Sequence, residues 1–300
     1  MTNGKVWTVA EPAPLLQFLL QKLVGKGRNK VKGLLTHRLV TVNGRVVTRY
    51  DYTLEPGQTV TVLHVAGDVN TVMHGVRILF EDEDLLVIDK PPRLLSIATD
   101  EERERTAYHV ATDYVRRLDP ESRVFIVHRL DKDTSGVMMF AKREEVKQKL
   151  QEAWKELVLE RLYVVVVEGR VSPPEGTIRT WLKESRAQTM YVSASGDGQL
   201  AITHYKVLQE GPNFSLLEVR LETGRKNQIR VHMQSLGHSV VGDRRYGSKK
   251  RGLGRMGLHA RVLAFHHPTT NELLRFETPI PVSFRKLLTA GTKTSTGRKP

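Results

Sequence analysis

Apolar positions near the N-terminus change period once, after two stretches of helical spacing. Leu15, Leu16, Leu19, Leu20 and Leu23 recur three and four residues apart, a helical stripe, and Val31, Leu34 and Leu35 repeat the pattern. The period then drops towards two in VTVNGRVV, where Asn43-Gly44 between β-rich pieces predicts a tight hairpin. LEPGQTVTVL adds another turn and strand. Residues 14–66 thus predict two small helices followed by a short, hairpin-rich sheet. Residues 64–75, with weak periodicity and two glycines, predict a linker.

Beyond the linker, RILFEDEDLLVIDKPP predicts two strands around an acidic turn, and a helix is expected from Thr106 to Arg117. REEVKQKLQEAWKELV places Val146, Leu150, Ala153, Trp154 and Leu157 on one face of a single amphipathic helix. Strands are expected at 161–167, 176–183, 188–194, 202–208 and 214–221. A helix follows in GRKNQIRVHMQSLG, ended by Gly237. Gly247 to Gly257 read as a basic, mobile loop. Strands near 258–266 and 273–277 and a helix after Pro281 complete the core. Residues 291–300 offer almost nothing apolar to bury and are expected to be disordered. Strands do not alternate regularly with helices. The fold class is therefore α+β: a small N-terminal α+β module, then a larger domain over residues 76–290 with a mixed, largely antiparallel sheet.

Charge sharpens this picture. The chain carries 47 Lys and Arg against 33 Asp and Glu, a net charge of +14, which favours polyanionic partners. Residues 12–50 hold eight cations (Lys22, Lys26, Arg28, Lys30, Lys32, Arg38, Arg45 and Arg49) and no acid, which marks this module as the candidate face for a polyanion such as nucleic acid. The absence of cysteine excludes disulfides, thiolate metal sites and a cysteine nucleophile. The N-terminus has no signal-like apolar stretch, and LYVVVV is far shorter than the roughly 20 residues a membrane helix needs. A cytoplasmic monomer with no membrane partner is expected.

The densest charge cluster, VHRLDKDTSG (Val127 to Gly136), lies between the strand-like runs RVFIV and VMMFA. It carries two candidate catalytic acids, Asp131 and Asp133, and their spacing does not choose between them. The plain alternative is a loop aspartate that accepts backbone hydrogen bonds and pairs with Arg129. A second cluster, ETGRKNQIRVH, sets Arg225, Lys226 and Arg230 around a helix start, where backbone N–H groups favour anions. Gln228 and Arg230 are the residues there that could face a cleft. In ERLYVVVVEG, Tyr163 opens a strand of β-branched residues, suited either to stacking on an unpaired base or to the core. No P-loop, no GxSxG elbow and no metal-ligand spacing of histidines is present; His232, His238, His266 and His267 read as structural.

Together these clusters resemble the RluA-type pseudouridine synthases over residues 76–290. VHRLDKDTSG followed by FAK is similar to that family's catalytic motif, TGRKNQIRVHMQSLGHSVVGDRRYG to its second long motif, and ILFEDEDLLVIDKPP to its opening one. Residues 14–66 resemble the alpha-L RNA-binding module that often precedes this domain. The resemblance implies that Asp131, not Asp133, is the catalytic aspartate, that Tyr163 packs on the target base and that Arg230 pairs with the carboxylate. It further implies that Arg129 helps hold RNA around a flipped base. Two departures are visible: Arg93 stands where the family has Gly in KPxG, and Asn227 where it has His in GRTHQIR. Neither falls on the positions just named, so activity is expected to survive both.

The implied reaction breaks the N1–C1′ bond of uridine, turns the uracil and forms a C5–C1′ bond. Nothing is oxidised and no phosphate moves, so no cofactor or metal is expected. A carboxylate beside the sugar and base is required, as a nucleophile or as the group that takes a proton. The expected substrate is RNA, with large-subunit (23S) ribosomal RNA favoured and tRNA second. Two rival readings are a non-catalytic RNA-binding or ribosome-assembly factor and a hydrolase or glycosidase using both Asp131 and Asp133.

Overall fold

The computed structural model describes residues 4–24, 27–36, 40–63, 72–99, 106–117, 119–249 and 252–289. Lys26, Arg38, residues 64–71 of the expected linker and the tail 291–300 lie outside the described residues, as does the side chain of Lys30. The chain divides into two compact units. The first holds residues 1–90, 96–129 and 138–153; the second holds 91–95, 130–137 and 154–300.

The first unit opens with β1 (Gly4–Thr8), β2 (Ala13–Pro14), α1 (Leu15–Lys22), α2 (Arg28–Thr36), β3 (Val40–Val42), β4 (Arg45–Val46), β5 (Thr53–Leu54) and β6 (Thr59–Leu63). The two helices and the hairpin fall where the sequence places them. Asn43 and Gly44 take φ of 49° and 77°, the left-handed pair a two-residue hairpin needs. The sheet order is β1-β6-β3-β4, so a strand N-terminal to residue 14 also belongs to this sheet. Leu15, Leu16 and Leu19 of α1 are buried with Leu23 just beyond it, and Leu20 is partly buried against the same core; Phe18 joins them and widens the apolar face.

The same unit contains β7 (Val72–Met73), β8 (Val76–Glu81), β9 (Leu85–Lys90), α3 (Ala107–Arg116) and β10 (Phe125–Ile126). Within the expected linker, His74 and Gly75 instead form a positive-φ turn, at 49° and 81°, that pairs β7 with β8. Thr106 caps α3 by accepting from the His109 amide at 3.1 Å. Next come β11 (Ser135–Ala141), whose first three residues belong to the second unit, and α4 (Glu144–Glu152).

The single helix expected across residues 143–158 is instead two. Ala153 leaves the helical region (φ −99°, ψ 27°), a short α5 (Trp154–Leu157) follows, and β12 (Val158–Glu168) begins at once. Strand pairing overrides the apolar stripe here, because Val158 is already in register with Phe265. Only Val146 and Leu150 of the expected face are fully buried.

The second unit continues with β13 (Glu175–Glu184), β14 (Met190–Val192), β15 (Gln199–Glu210), β16 (Phe214–Leu221), α6 (Gln228–Ser235), β17 (Leu258–His266), β18 (Leu273–Glu277) and α7 (Val282–Thr289). Its strands run in the order β14-β13-β15-β16-β12-β17 with antiparallel neighbours, and β18 also pairs with β17. The fold is α+β with a largely antiparallel sheet. Val164 to Val167 are fully buried because β12 is covered on both faces. Val165 and Val167 pack with Ile229 and Met233 of α6, whereas Val164 and Val166 pack with Phe284 and Leu288 of α7. Tyr163 shares the α6 side.

Candidate active site

Ser135 and Gly136 pair in parallel with His259 and Ala260, so the sheet is rejoined two residues before the apolar run VMMFA. The turn is Asp131 to Thr134, closed by the Thr134 amide donating to the Asp131 carbonyl at 3.1 Å. Gly136 serves a different purpose. Its φ is +114°, and a Cβ there would sit 2.0 Å from the Ala260 carbonyl oxygen. Glycine permits close strand approach and thereby fixes where the preceding turn projects. Ser135 is held by the His259 ring at 2.7 Å and by Arg255 at 2.6 Å.

The turn presents Asp131 to the start of α6. One carboxylate oxygen, Oδ2, accepts from Arg230 Nη1 at 3.0 Å and from Asn227 Nδ2 at 2.7 Å. The other, Oδ1, accepts from no donor among the described residues. The ion-pair partner of Asp131 is therefore Arg230 and not Arg129. Arg230 also forms a two-pronged pair with Asp243, Nε to Oδ2 at 2.6 Å and Nη2 to Oδ1 at 2.9 Å. Asp243 is 1% exposed, Arg230 12% and Asp131 26%, so the chain of charges leads from the interior to the surface. Burial opposes the Arg230 charge, but Asp243 and Asp131 outweigh it and hold the guanidinium above the ordinary arginine value. Its Cζ lies 4.7 Å from the Tyr246 ring centroid.

Tyr246 links a second line of contacts. Its hydroxyl donates to Asn227 Oδ1 at 3.2 Å and accepts from the Met190 amide at 3.1 Å. Asn227 adopts φ 52°, ψ 20° at the start of α6 and makes no side-chain cap. Asparagine tolerates that left-handed geometry. The departure from the family pattern thus touches Asp131 directly, contrary to the expectation that it would leave the site alone. Sequence reasoning flagged the position but had no signal for its contact.

Asp131, Arg230 and Asp243 line a cavity of about 980 Å³ that also takes in Arg93, Lys132, Asp133, Arg244, Arg245, Lys249 and Arg255. Asp133 is exposed in the turn and has no hydrogen-bonding partner among the described residues. Arg244 and Lys249 are likewise exposed without partners among the described residues. Arg93 takes φ 67° where the family pattern has glycine, and its guanidinium donates to the Gly254 carbonyl. The remaining basic side chains of the α6 motif are used locally: Arg225 donates to the Leu200 carbonyl at 3.0 Å and Lys226 pairs with Glu184. Gln228 does not face a cleft. It is 2% exposed and bonds Thr223, the Arg225 amide, Ile202 and Thr203.

Tyr163 is half-buried on β12, and its hydroxyl has no hydrogen-bond partner among the described residues. Burial pushes that phenol up, Arg161 pulls it down and the Asp131 charge adds to the rise. Arg129 is exposed in the first unit, without a partner among the described residues. In the N-terminal module Lys22, Arg28, Lys32, Arg45 and Arg49 are exposed, but Asp51, one residue beyond the acid-free stretch, pairs with Arg49 at 3.0 Å. His232 is fully buried between Thr180 and Thr203, at 2.9 and 2.8 Å, and burial lowers its pKa to about 4. Among the described residues no group of three His, Asp or Glu is arranged to hold a metal ion, and no helix is long and apolar enough to cross a membrane.

Residues 84–235 match the RNA pseudouridylate synthase family and residues 14–60 match the S4 domain. The uncharacterized RNA pseudouridine synthase YjbO of Bacillus subtilis is 35% identical over 82% of this chain and 88% of its own length. The ribosomal large subunit pseudouridine synthase D of Pseudomonas aeruginosa is 31% identical over 91% of this chain and 90% of its own. The solved structure of human RNA Pseudouridylate Synthase Domain Containing 4 superposes with a TM-score of 0.57 at 25% identity, covering 69% of this chain and 90% of that one. With a buried Arg–Asp pair at the start of α6 and these matches on both parts of the sequence, the chain belongs to the RNA pseudouridylate synthase family and carries an N-terminal S4 domain.

Proposed function

We propose that this enzyme converts specific uridines of large-subunit (23S) ribosomal RNA to pseudouridine, with Asp131 as the reacting carboxylate. The observation that carries the assignment is the asymmetry of that carboxylate. Oδ2 is fixed by Arg230 and Asn227, while Oδ1 has no protein donor among the described residues, and Asp131 lines a cavity rich in cations. An oriented carboxylate with one free oxygen can attack C1′ or take a proton from the sugar as the N1–C1′ bond breaks.

Tyr163 offers a flat face to the uracil, and its unpaired hydroxyl can relay the C5 proton, accepting it while passing its own proton on to solvent once the new bond forms. Arg244 and Lys249 suit the phosphates on either side of the target nucleotide. A uridine reaches such a cavity only by leaving its stack, at a cost of a few kcal/mol, which backbone contacts offset. Arg129 contributes to holding that extruded geometry. Residues 76–290 constitute the catalytic domain, and residues 14–66 act as an RNA-binding module through Lys22, Lys26, Arg28, Lys30, Lys32, Arg38 and Arg45. Arg49, engaged by Asp51, has less to give to a phosphate.

The ribosomal target is supported by the S4 module and by relatives named for the large ribosomal subunit. Asp131→Asn is expected to abolish pseudouridine formation while leaving RNA affinity within about twofold. Nucleoside analysis of RNA treated with that variant tests the assignment; turnover near the wild-type rate overturns it. Mapping the pseudouridines that vanish from ribosomal RNA and tRNA in a deletion strain tests the target.

A further inference from the structure

We propose that Asn227 is a positioning residue for the reaction, aiming the Asp131 carboxylate through a donor that does not titrate. The inference rests on the reading of Asp131 as the reacting group and adds to it. Arg230 and Asn227 both donate to Oδ2, at 3.0 and 2.7 Å. Two donors from different directions fix the carboxylate's rotation as well as its place, whereas Arg230 alone would leave the group free to turn about Cβ–Cγ. Held by both, Oδ1 points one way.

The amide is itself oriented. A side-chain amide can flip, presenting oxygen where nitrogen was, and a flipped Asn227 would set two acceptors against each other. Tyr246 prevents this by donating to Asn227 Oδ1 at 3.2 Å, and the Met190 amide occupies the tyrosine oxygen at 3.1 Å so that its hydrogen is directed to Asn227. The left-handed backbone at Asn227, φ 52°, turns the side chain away from its usual capping role, which explains why an asparagine at a helix start makes no cap.

The charged and titratable groups around this contact are Lys132 and Asp133 in the turn, Arg93, Arg244, Arg245, Lys249 and Arg255 along the cavity, Tyr163 on β12, Arg230 on α6, and Asp243 and Tyr246 beside Arg230. No histidine is among the described residues lining the cavity. An imidazole at 227 would add beside the Asp131 carboxylate a group whose ordinary pKa of about 6.5 is raised by that carboxylate and lowered by Arg230.

Three variants at this position tolerate positive φ and keep the helix start: Asn227→Gly removes the donor, Asn227→Asp reverses it, and Asn227→His replaces it. Single-turnover rates on a ribosomal RNA fragment, RNA affinity and thermal melting would be measured for each, from pH 5.5 to 8.5. Asn227→Gly is expected to slow conversion by up to about 100-fold, the scale of a small misplacement of a reacting group, with affinity unchanged. Asn227→Asp is expected to be slowest at high pH and to recover as pH falls, because a proton shared between two facing carboxyls restores a donor. Asn227→His should regain most of the rate that the glycine variant forfeits and show a new ionisation in the pH profile. The proposal is overturned if folded glycine and aspartate variants convert RNA within twofold of wild type with its pH profile, while Asp131→Asn is inactive. It is equally overturned if all three variants slow in proportion to their drop in thermal stability, with unaltered pH dependence. Activity of Asp131→Asn would instead overturn the reading of Asp131 on which the proposal rests.

Discussion

Arg230 serves two carboxylates with one guanidinium: a two-pronged pair with buried Asp243, and a single donor to Asp131 at 3.0 Å. The Asp243 pair keeps the arginine plane fixed, so the donor facing Asp131 has one direction. Lysine cannot reproduce this, since an ammonium is a point charge without a fork. Arg230→Lys is expected to lower the conversion rate by at least about 100-fold with RNA affinity little changed. Arg230→Met should in addition lose about 3–5 kcal/mol of stability, because Asp243 is left buried without its partner. Chemical denaturation beside single-turnover kinetics separates the two effects.

Gly136 sets the position of the Asp131 turn by letting β11 approach β17. Gly136→Ala places a methyl 2.0 Å from the Ala260 carbonyl oxygen at φ +114°. A loss of more than about 3 kcal/mol is expected, since both the clash and the backbone conformation oppose the side chain. Thermal melting checks the stability. Whatever folded protein remains should convert RNA slowly, because the turn is displaced.

Tyr163 combines a flat face with a hydroxyl that burial keeps above its ordinary pKa. Tyr163→Phe keeps the face and loses the hydroxyl; it is expected to bind RNA as wild type does and to slow a step after glycosidic cleavage. Tyr163→Ala should lose affinity as well, by about 1–3 kcal/mol if a base stacks there. Equal behaviour of the two variants in binding and rate would remove the stacking role.

Acid should destabilise the second unit through its buried histidines. His232 is lowered to about 4 by burial, and His259 to about 4 by burial and then by Arg255 and Arg261. Each must stay neutral when folded yet accepts a proton near 6.5 when unfolded. Unfolded chains then bind more protons, so stability is fully present above about pH 6.5 and falls progressively towards pH 4, by an amount on the order of 3 kcal/mol per histidine. Urea midpoints at pH 7.5, 6 and 5 measure this. His232→Gln should flatten the dependence, even though it lowers stability at neutral pH.

In the N-terminal module, Lys22, Arg28, Lys32 and Arg45 are exposed, whereas Arg49 is held by Asp51. Changing the first four to glutamine should weaken RNA binding and reduce the slope of log K against log salt by about 0.7–0.9 for each phosphate that is no longer neutralised. Arg49→Gln alone should matter less. The conversion rate at saturating RNA should be unaffected in both.

Local pattern determined much of this protein. The helical stripe of α1, the Asn43-Gly44 hairpin, the boundaries of β17 and β18 and the end of α6 before Gly237 all follow from period and turn chemistry, which act over a few residues. The density of charge in VHRLDKDTSG likewise marked a site within the sequence. Pattern failed where a distant partner decided the outcome. The apolar stripe through residues 143–158 has the period of one unbroken helix, but β17 claimed Val158 for a strand. Gly136 gives no sign of its role until Ala260 is set against it. Spacing left Asp131 and Asp133 equal, and the preference for Asp131 came from family resemblance. Only the fold brings Asn227 and Arg230, 96 and 99 residues along the chain, to a single oxygen of Asp131. Period and propensity carry no information about such a contact, because it is made by side chains whose backbones meet only after β12 and α6 have packed.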